Sequence, residues 1–114
     1  MEKTEKLLEI GKKEENFKKL GHKQTWTITF PKLDENGKET EDFYWCILRK
    51  PNRIEMRPVM ELIQKDTISA NEYLLNAIWL DGDNEIKTDD DLFFGISTLL
   101  SEIITFAQGT IKKN

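Results

Sequence analysis

Cysteine and histidine are almost absent from this sequence. Cys46 is the only cysteine and His22 the only histidine among 114 residues. A disulfide within the chain needs two cysteines, and a cysteine-rich zinc site needs several, so both are excluded. A lone cysteine is typical of proteins from reducing compartments, and we therefore expect an intracellular protein.

Long hydrophobic runs are also missing. No apolar stretch approaches the roughly twenty residues needed to span a bilayer. The first six residues, Met-Glu-Lys-Thr-Glu-Lys, do not form the apolar core of a signal peptide. The sequence therefore predicts a cytoplasmic protein that makes no use of a membrane.

The chain has no excess of basic charge. Its 17 lysines and arginines face 21 aspartates and glutamates, for a net charge of -4, which disfavours nonspecific nucleic-acid binding as the main function. The charge is unevenly placed, because acidic residues crowd the second half. A short basic run holds Arg49, Lys50, Arg53 and Arg57. Such runs are most often solvated surfaces, and the alternative is a contact surface for a charged partner.

Motifs for catalysis and metal binding are missing as well. The sequence has no glycine-rich phosphate loop, no nucleophile elbow, and no histidine close to a cysteine or serine in the manner of a triad. The acidic residues between Asp81 and Asp91 lack the glycine and glutamate spacing of an EF-hand loop. They are better explained as helix caps and as favourable partners of a helix dipole. We predict no enzymatic activity, no cofactor and no bound metal.

The length of the chain sets its domain organisation. A chain of 114 residues is expected to form one domain with one core. We predict a loosely held segment over residues 1–13, a single α+β domain over 14–108 and a tail over 109–114. The first element of the domain would be a short helix from Glu14 to Leu20 that stops at Gly21.

Two stretches alternate between apolar and other side chains in the manner of strands. They are Thr25–Phe30 and Phe43–Leu48. If Asn36-Gly37 forms a two-residue type I′ turn, the numbers of paired residues have the same sum as 36 and 37, which places Trp45 opposite Ile28. The turn chemistry and the apolar stripes agree on this register. We predict an antiparallel hairpin with that pairing.

Helical periodicity begins after Pro51. Asn52, with Glu55 three residues later, is a candidate N-cap. Pro58 removes one helical hydrogen bond, so we predict a kinked helix from about Asn52 to Lys65. The alternative is a helix that starts late, with Pro58 in its first turn.

Two more helices are predicted by capping boxes, in which a hydroxyl stands three residues ahead of a carboxylate. The two boxes are Ser69 with Glu72 and Thr88 with Asp91. The helices would run over Ala70–Leu80 and Asp89–Gln108, joined as a helical hairpin by a turn at Asp81–Asn84. The predicted fold class is α+β, with an N-terminal short helix, a two-stranded antiparallel hairpin and three helices packed on it.

The last predicted helix carries more large apolar side chains than one core face requires. Beyond its regular stripe it holds Phe93, Phe94, Ile104 and Phe106. We predict a protein–protein contact there, as a homo-oligomer or a partner complex with Phe94 or Phe106 in the contact. The alternative is a deeper core. Candidate residues for a charged part of the partner contact are Arg49, Arg53 and Arg57.

Aromatic side chains on the predicted strands allow a different function. They are Trp26, Phe30, Tyr44 and Trp45. These rings could stack unpaired bases, with the basic run at the strand end. Core packing is the commoner use of such residues, so nucleic-acid binding is the less favoured hypothesis.

Several short motifs are spread over roughly residues 14–104. They comprise Arg49-Lys50-Pro51, Lys65-Asp66, Glu72-x-Leu74-Leu75-x-x-x-Trp79-x-x-Gly82-Asp83-x-Glu85-Ile86 and Asp91-x-Phe93. Together they resemble the small tail assembly chaperones of tailed bacteriophages and prophages. The chain departs from that pattern where Asp81 replaces a glycine before Gly82, and where Thr67 replaces a proline after Lys65-Asp66.

The resemblance implies a non-enzymatic assembly factor in the cytoplasm of a bacterial host. Its implied partners are the long tape-measure protein, which it would keep soluble, and the tail-tube subunits, which it would help to recruit. One alternative is a structural component that stays in the virion, such as a head–tail joining or tail-completion protein. A small nucleic-acid-binding regulator is a further alternative, which the negative net charge disfavours.

Overall fold

The computed structural model describes residues 3–22 and 24–108, with side chains up to residue 104. The chain divides into two compact units. Unit 1 takes the chain up to Arg49 together with Trp79–Ile86, and unit 2 takes Lys50–Ile78 together with the chain from Lys87 onward. The predicted single domain over 14–108 stays a prediction, and the predicted tail over 109–114 lies outside the described residues.

The elements confirm the predicted α+β class. In chain order they are α1 (Lys3–Lys19), β1 (Thr25–Leu33), β2 (Glu39–Arg49), α2 (Arg53–Leu62), α3 (Thr67–Ile78), β3 (Trp79–Gly82), α4 (Glu85–Thr88) and α5 (Asp90–Gln108). The strands form one antiparallel sheet in the order β1-β2-β3. Among the described residues, no helix combines the length and apolarity that crossing a bilayer requires.

Helix α1 is much longer than the predicted segment from Glu14 to Leu20. It includes most of the residues that were expected to be loosely held. Gly11 lowers the helix propensity of its centre by about 1 kcal/mol. Next to it, however, the buried Ile10 packs against Phe43 and Ile47 of β2. Tertiary packing of one apolar residue thus stabilises a helix that local composition disfavours.

Gly21 ends the helix as predicted. Its φ of 107° is a backbone conformation that glycine adopts without steric cost. The amide of Gly21 donates to the carbonyl of Lys18, and the amide of His22 donates to the carbonyl of Phe17, both at 3.1 Å. This pair of bonds is a Schellman motif, and the Phe17 and His22 rings add the accompanying side-chain contact.

The hairpin forms, but the predicted register is wrong by one residue. Trp45 lies opposite Thr29, and Ile28 lies opposite Cys46. The loop holds three residues rather than two, because the amide of Asp34 donates to the carbonyl of Lys38 at 2.8 Å. Gly37 has a φ of 79°, as expected for the left-handed residue that closes such a loop. A further irregularity between Pro31 and Leu33 shifts the pairing again.

This slip exchanges the two faces of β2. Phe43, Trp45 and Ile47 face α1 instead of sharing a face with the apolar residues of β1. The other face of β2 carries Cys46 and Leu48, and both are fully buried. Because β2 is the central strand, its sequence is apolar on both faces, and an alternating pattern cannot define its register.

Strand β3 replaces the turn predicted at Asp81–Asn84. It pairs antiparallel with β2, with Gly82 opposite Cys46 and Asp81 opposite Ile47. The predicted helix therefore ends at Ile78 rather than Leu80, and β3 and α4 separate α3 from α5 in place of the predicted turn. Gly82 does adopt a positive φ, of 145°, but within a strand.

Two residues at the end of β3 attach it to β2. A Cβ on Gly82 would lie 2.5 Å from the carbonyl oxygen of Trp45 and 2.6 Å from the Cα of Cys46, so only glycine fits. The next residue, Asp83, donates its amide to the carbonyl of Trp45 and accepts from the amide of Trp45 through Oδ2, each at 2.9 Å. Gly82 and Asp83 thus hold β3 against β2.

The helices of unit 2 begin at side-chain caps. Asn52 and Glu55 form the predicted capping box of α2, and Pro58 lies inside that helix, which ends at Leu62 rather than Lys65. The cap of α3 is Asp66, not Ser69, because Asp66 accepts from the amide and hydroxyl of Ser69. These bonds, the hydroxyl bond foremost, lower the pKa of Asp66.

Helix α5 begins one residue later than its predicted cap implies. The carboxylate of Asp89 accepts from the amide of Leu92 at 3.0 Å, so Asp89 is the cap and Thr88 is the last residue of α4. The observed helix Asp90–Gln108 confirms the predicted range to within one residue. Its buried side chains include Phe93, Ile96, Leu100, Ile103 and Ile104.

Candidate protein-interaction surface

The structure separates the apolar residues of α5 that were predicted to contact a partner. Phe93 and Ile104 are only 9% and 5% exposed, so both belong to the interior rather than to a contact surface. Phe94 is 55% exposed. The side chain of Phe106 lies outside the described residues. Among the described side chains of this predicted set, Phe94 is therefore the one that presents a large apolar surface to solvent.

Phe94 lies at a groove between α3 and α5, which we name the α3–α5 groove. It has a volume of about 330 Å³. Its lining residues are Ile68, Glu72, Leu75, Asn76, Lys87, Asp90, Phe93 and Phe94. Leu75 is buried at its base, whereas Ile68 is 53% exposed at its edge. The groove thus combines a fixed apolar base with an exposed apolar edge, the usual composition of a binding site.

Helix geometry and the buried face of α5 explain this arrangement. Successive helical residues are about 100° apart, so a helix that turns Phe93, Ile96 and Leu100 to the core turns the adjacent Phe94 outward. Asp66 caps α3 and thereby places Ile68 in its first turn, where it is exposed. Sequence analysis missed Ile68 because it assigned the cap to Ser69, three residues too late. The spacing of Asp66 and Ser69 was the signal that could have found it.

The edge of the α3–α5 groove is mostly acidic. Glu72 and Asp90 are both exposed. Neither carboxylate forms an ion pair within the part of the chain that the structure describes. Lys87 also lines the groove. It is half-buried and already interacts with another group of the chain. The groove can therefore bind an apolar side chain flanked by a positive charge.

The predicted basic residues are divided between the two units. Arg49 is half-buried at the end of β2 in unit 1. Arg53 and Arg57 are exposed on α2 in unit 2, one helical turn apart. Two exposed apolar residues, Ile54 and Met60, lie beside them. We name this surface of Arg53, Ile54, Arg57 and Met60 the α2 face.

Three lysines of unit 1 lie over aromatic rings of β2. Lys6 is 4.4 Å from the ring centre of Phe43, Lys13 is 5.2 Å from that of Trp45, and Lys32 is 4.7 Å from that of Tyr44. Cation–π contacts of this kind stabilise the fold by about 0.5–1 kcal/mol at exposed sites. The Phe43 ring is buried and the other two are half-buried, and all three already have partners, so the hypothesis of base stacking gains no support here.

The same lysines pair with carboxylates of unit 1. Asp42 accepts from Lys6 at 2.9 Å and contacts Lys32 at 3.0 Å, and Asp81 accepts from Lys13 at 2.9 Å. The hydrogen bond from Lys6, then that from Lys32 and that from the amide of Phe43, hold the pKa of Asp42 well below its usual range. Lys6 also donates to the carbonyl of Phe43 at 2.6 Å. The contacts of Lys6 and Lys32 occupy backbone and side-chain groups in the part of β2 that does not pair with β3.

In residues 3–22 and 24–104, no group of three or more His, Cys, Asp or Glu side chains is arranged to hold a metal ion. The single thiol, Cys46, is fully buried in the sheet. The candidate site of this chain is the α3–α5 groove, with Phe94 at its edge.

Comparison with known proteins used three independent sets. The chain was compared with models of protein families, with curated proteins and with solved structures. No family model, curated protein or solved structure matches it.

Proposed function

We propose that this chain is a tail assembly chaperone-like protein of a tailed bacteriophage or prophage. It binds its partner, the tape-measure protein, through the α3–α5 groove in the cytoplasm of the bacterial host, and it has no enzymatic role. The observation that carries the proposal is the exposed Phe94 ring beside a groove with a buried apolar base. Large exposed aromatic rings beside apolar grooves are typical of protein-binding sites.

The form of the groove favours a helical partner. Its two walls are helices, α3 and α5, and an amphipathic helix commonly binds by placing its apolar side chains in such a groove. The volume of about 330 Å³ accommodates apolar side chains rather than a folded domain. A long helical protein such as the tape measure supplies many segments of this kind, each of which would otherwise expose apolar surface.

The residues that carry the family resemblance support the same proposal. Three of them, Glu72, Leu75 and Phe93, line the groove. Others have structural tasks, because Gly82 permits the close approach of β3 to β2 and Asp83 bonds to the backbone of Trp45. The resembling motifs therefore combine residues of the fold with residues of the candidate binding site.

Co-expression with the tape-measure protein of the same phage or prophage tests this function. We expect the wild-type chain to keep that protein soluble and to co-purify with it. Phe94→Ser should abolish both effects because it removes the exposed ring from the groove. Leu8→Ser is the matched control, since Leu8 is an exposed apolar residue of unit 1. Retained solubility with Phe94→Ser, or equal loss with both variants, would argue against binding in the groove.

A second experiment separates an assembly factor from a structural component of the virion. An assembly chaperone must release its client once the tail tube encloses it, so washed particles should lack this chain. Mass spectrometry of purified virions measures this directly. A fixed stoichiometry of the chain in particles would support a head–tail joining or tail-completion role instead.

A further inference from the structure

Two surfaces of unit 2 carry complementary charges that have no partner. Arg53 and Arg57 on the α2 face form no ion pair with any residue that the structure describes. The same holds for the carboxylates of Glu72 and Asp90 at the α3–α5 groove. In unit 1, by contrast, Lys6, Lys13 and Lys32 each pair with an aspartate. Unit 2 therefore presents one basic and one acidic surface in the same chain.

Each of these surfaces also exposes large apolar side chains. On the α2 face Ile54 is 78% exposed, and Met60 is nearly half exposed. At the groove, Ile68 and Phe94 are each more than half exposed. The α2 face carries two arginines against one exposed glutamate, Glu61, and the groove carries two carboxylates against the half-buried Lys87. Each surface therefore combines exposed apolar side chains with an excess of charge, and the two excesses have opposite sign.

We propose that the α2 face of a second copy of this chain binds in the α3–α5 groove. Arg53, Arg57 and Met60 follow the i, i+4 and i+7 spacing by which one face of a helix enters a groove. The arginines lie against Glu72 and Asp90. An apolar side chain of the α2 face packs against Phe94. Charge complementarity thus selects another copy of the chain as the occupant.

The two surfaces share no residue, so every copy carries one of each. Two copies can bind reciprocally and close as a dimer, or each copy can bind the next and extend a chain of copies. Both arrangements use the same contacts and both weaken as salt screens the charges. The inference does not depend on the proposed tape-measure function. It adds that a second copy and a helical client compete for one groove.

Charge reversal and mixing test the inference. The variant Arg53→Glu with Arg57→Glu has acidic residues on both surfaces, and the variant Glu72→Lys places a lysine on the groove opposite the basic α2 face. All three positions are exposed helix positions, so the fold is expected to tolerate the changes. Sedimentation velocity from about 10 to about 500 µM at low salt measures the association. We expect each variant alone to associate about tenfold more weakly than the wild type, because like charges then face each other.

Mixing the two variants should restore association. In the mixture, the acidic α2 face of the Arg53→Glu, Arg57→Glu variant can bind the groove of the Glu72→Lys variant, which carries a lysine. The basic α2 face of the Glu72→Lys variant can bind the unchanged acidic groove of the other variant, as in the wild type. Phe94→Ser should weaken association in every combination. Lys18→Glu, a charge reversal on an exposed residue of unit 1, should leave it unchanged.

Three results would overturn the inference: a wild-type chain that stays monomeric over the whole range, a variant that associates as strongly as the wild type, or a mixture that does not recover. Circular dichroism of each variant establishes that it is folded. A monomeric wild type that still solubilises the tape-measure protein would overturn this inference alone and leave the proposed function intact.

Discussion

In unit 1 the lysines that approach the sheet are paired and lie over aromatic rings, whereas in unit 2 exposed charges flank exposed apolar side chains. Lys6 bonds to Asp42 and covers Phe43. Arg57 on the α2 face and Glu72 at the groove have no ion-pair partner in the described part of the chain. Internally paired charges stabilise a fold, and unpaired charges beside apolar groups are available to a partner. The paired lysines of unit 1 therefore stabilise the fold, and both proposed binding surfaces lie in unit 2.

Adjacent phenylalanines give the sharpest test of that assignment within unit 2. Phe93→Ala should cost about 3–5 kcal/mol because it leaves a cavity in the core. Phe94→Ala should cost less than about 1 kcal/mol, since its ring is exposed, yet it should abolish binding in the groove. Hydrogen exchange of the α3 and α5 amides measures the stability of unit 2. Similar stability losses for the two variants would contradict the division between interior and surface.

Gly82→Ala should have the next largest effect, and it acts on unit 1. The added methyl group would overlap backbone atoms of β2, and the φ of 145° disfavours any side chain. We expect a loss of about 2–4 kcal/mol from overpacking and backbone strain together. Tryptophan fluorescence during urea denaturation reports on unit 1 alone, because Trp26, Trp45 and Trp79 all belong to it.

Gly37→Ala provides the matched control for that change. Gly37 also has a positive φ, but no atom lies near the position of its missing Cβ. The expected loss is about 1 kcal/mol, from backbone strain only. An equal effect at the two glycines would show that contact with β2 contributes nothing at Gly82.

Thr27→Val should stabilise unit 1. The hydroxyl of Thr27 is buried and has no hydrogen-bond partner among the described residues. Replacing it with a methyl group of similar size removes the cost of burying an unpaired polar group, about 1 kcal/mol. Thr29→Val, at an exposed position of the same strand, should change the stability little. Denaturation monitored by tryptophan fluorescence compares the two, and destabilisation by Thr27→Val would mean that its hydroxyl has a partner.

Acidification should change the stability least of these tests. The stabilisation lost on acidification should depend on salt at Asp42 in unit 1 but not at Asp66 in unit 2. Asp42 and Asp66 both have a folded-state pKa below the usual value of 3.8. Their stabilisation is therefore present above pH 3.8 and is lost as the pH falls below it toward the folded-state pKa. Salt should weaken the contribution of Asp42, whose main partners are lysines, more than that of Asp66, whose partners are neutral groups of Ser69 and Ile68.

Asparagine variants measure these contributions. The stability difference between wild type and Asp42→Asn, followed by fluorescence, should shrink both as pH falls from about 5 to about 2 and as salt rises. The stability difference between wild type and Asp66→Asn, followed by hydrogen exchange of the α3 amides, should shrink as the pH falls but should not change with salt. A salt dependence of equal size at both sites would remove the distinction between ionic and neutral partners.

Several elements were predictable because their causes are local. Asn52 and Glu55 satisfy each other across one helical turn, and Gly21 can adopt the left-handed conformation that ends α1. The apolar stripe of α5 continues over enough turns that its range needed no tertiary information. The α+β class followed from these helix signals together with the alternating apolar pattern of the two predicted strands. The identity of a tape-measure partner did not, and it rests on the resemblance and on the experiments proposed above.

Other features depended on contacts between residues distant in the sequence. Asp66 and Ser69 can both cap a helix, as can Thr88 and Asp89, so local chemistry offers alternatives of similar free energy. Those choices decide whether Ile68 lies inside α3 and at which residue α5 begins. A strand that is apolar on both faces likewise permits two registers, and the pairing of β2 with β1 and β3, together with its packing against α1, selects one.

Strand β3 shows most clearly which features could not be predicted from the sequence. Residues Trp79–Gly82 continue a helical apolar pattern, and a single sequence contains nothing that pairs them with β2. They form a strand because Gly82 lets the backbone approach Cys46 closely and because Asp83 bonds to Trp45. The sequence by itself therefore determined the elements whose stabilising groups lie within a few residues, such as the caps of α2 and the end of α1. Tertiary structure decided the register, the third strand and the exposed ring of Phe94, because their stabilising contacts exist only after the chain has folded.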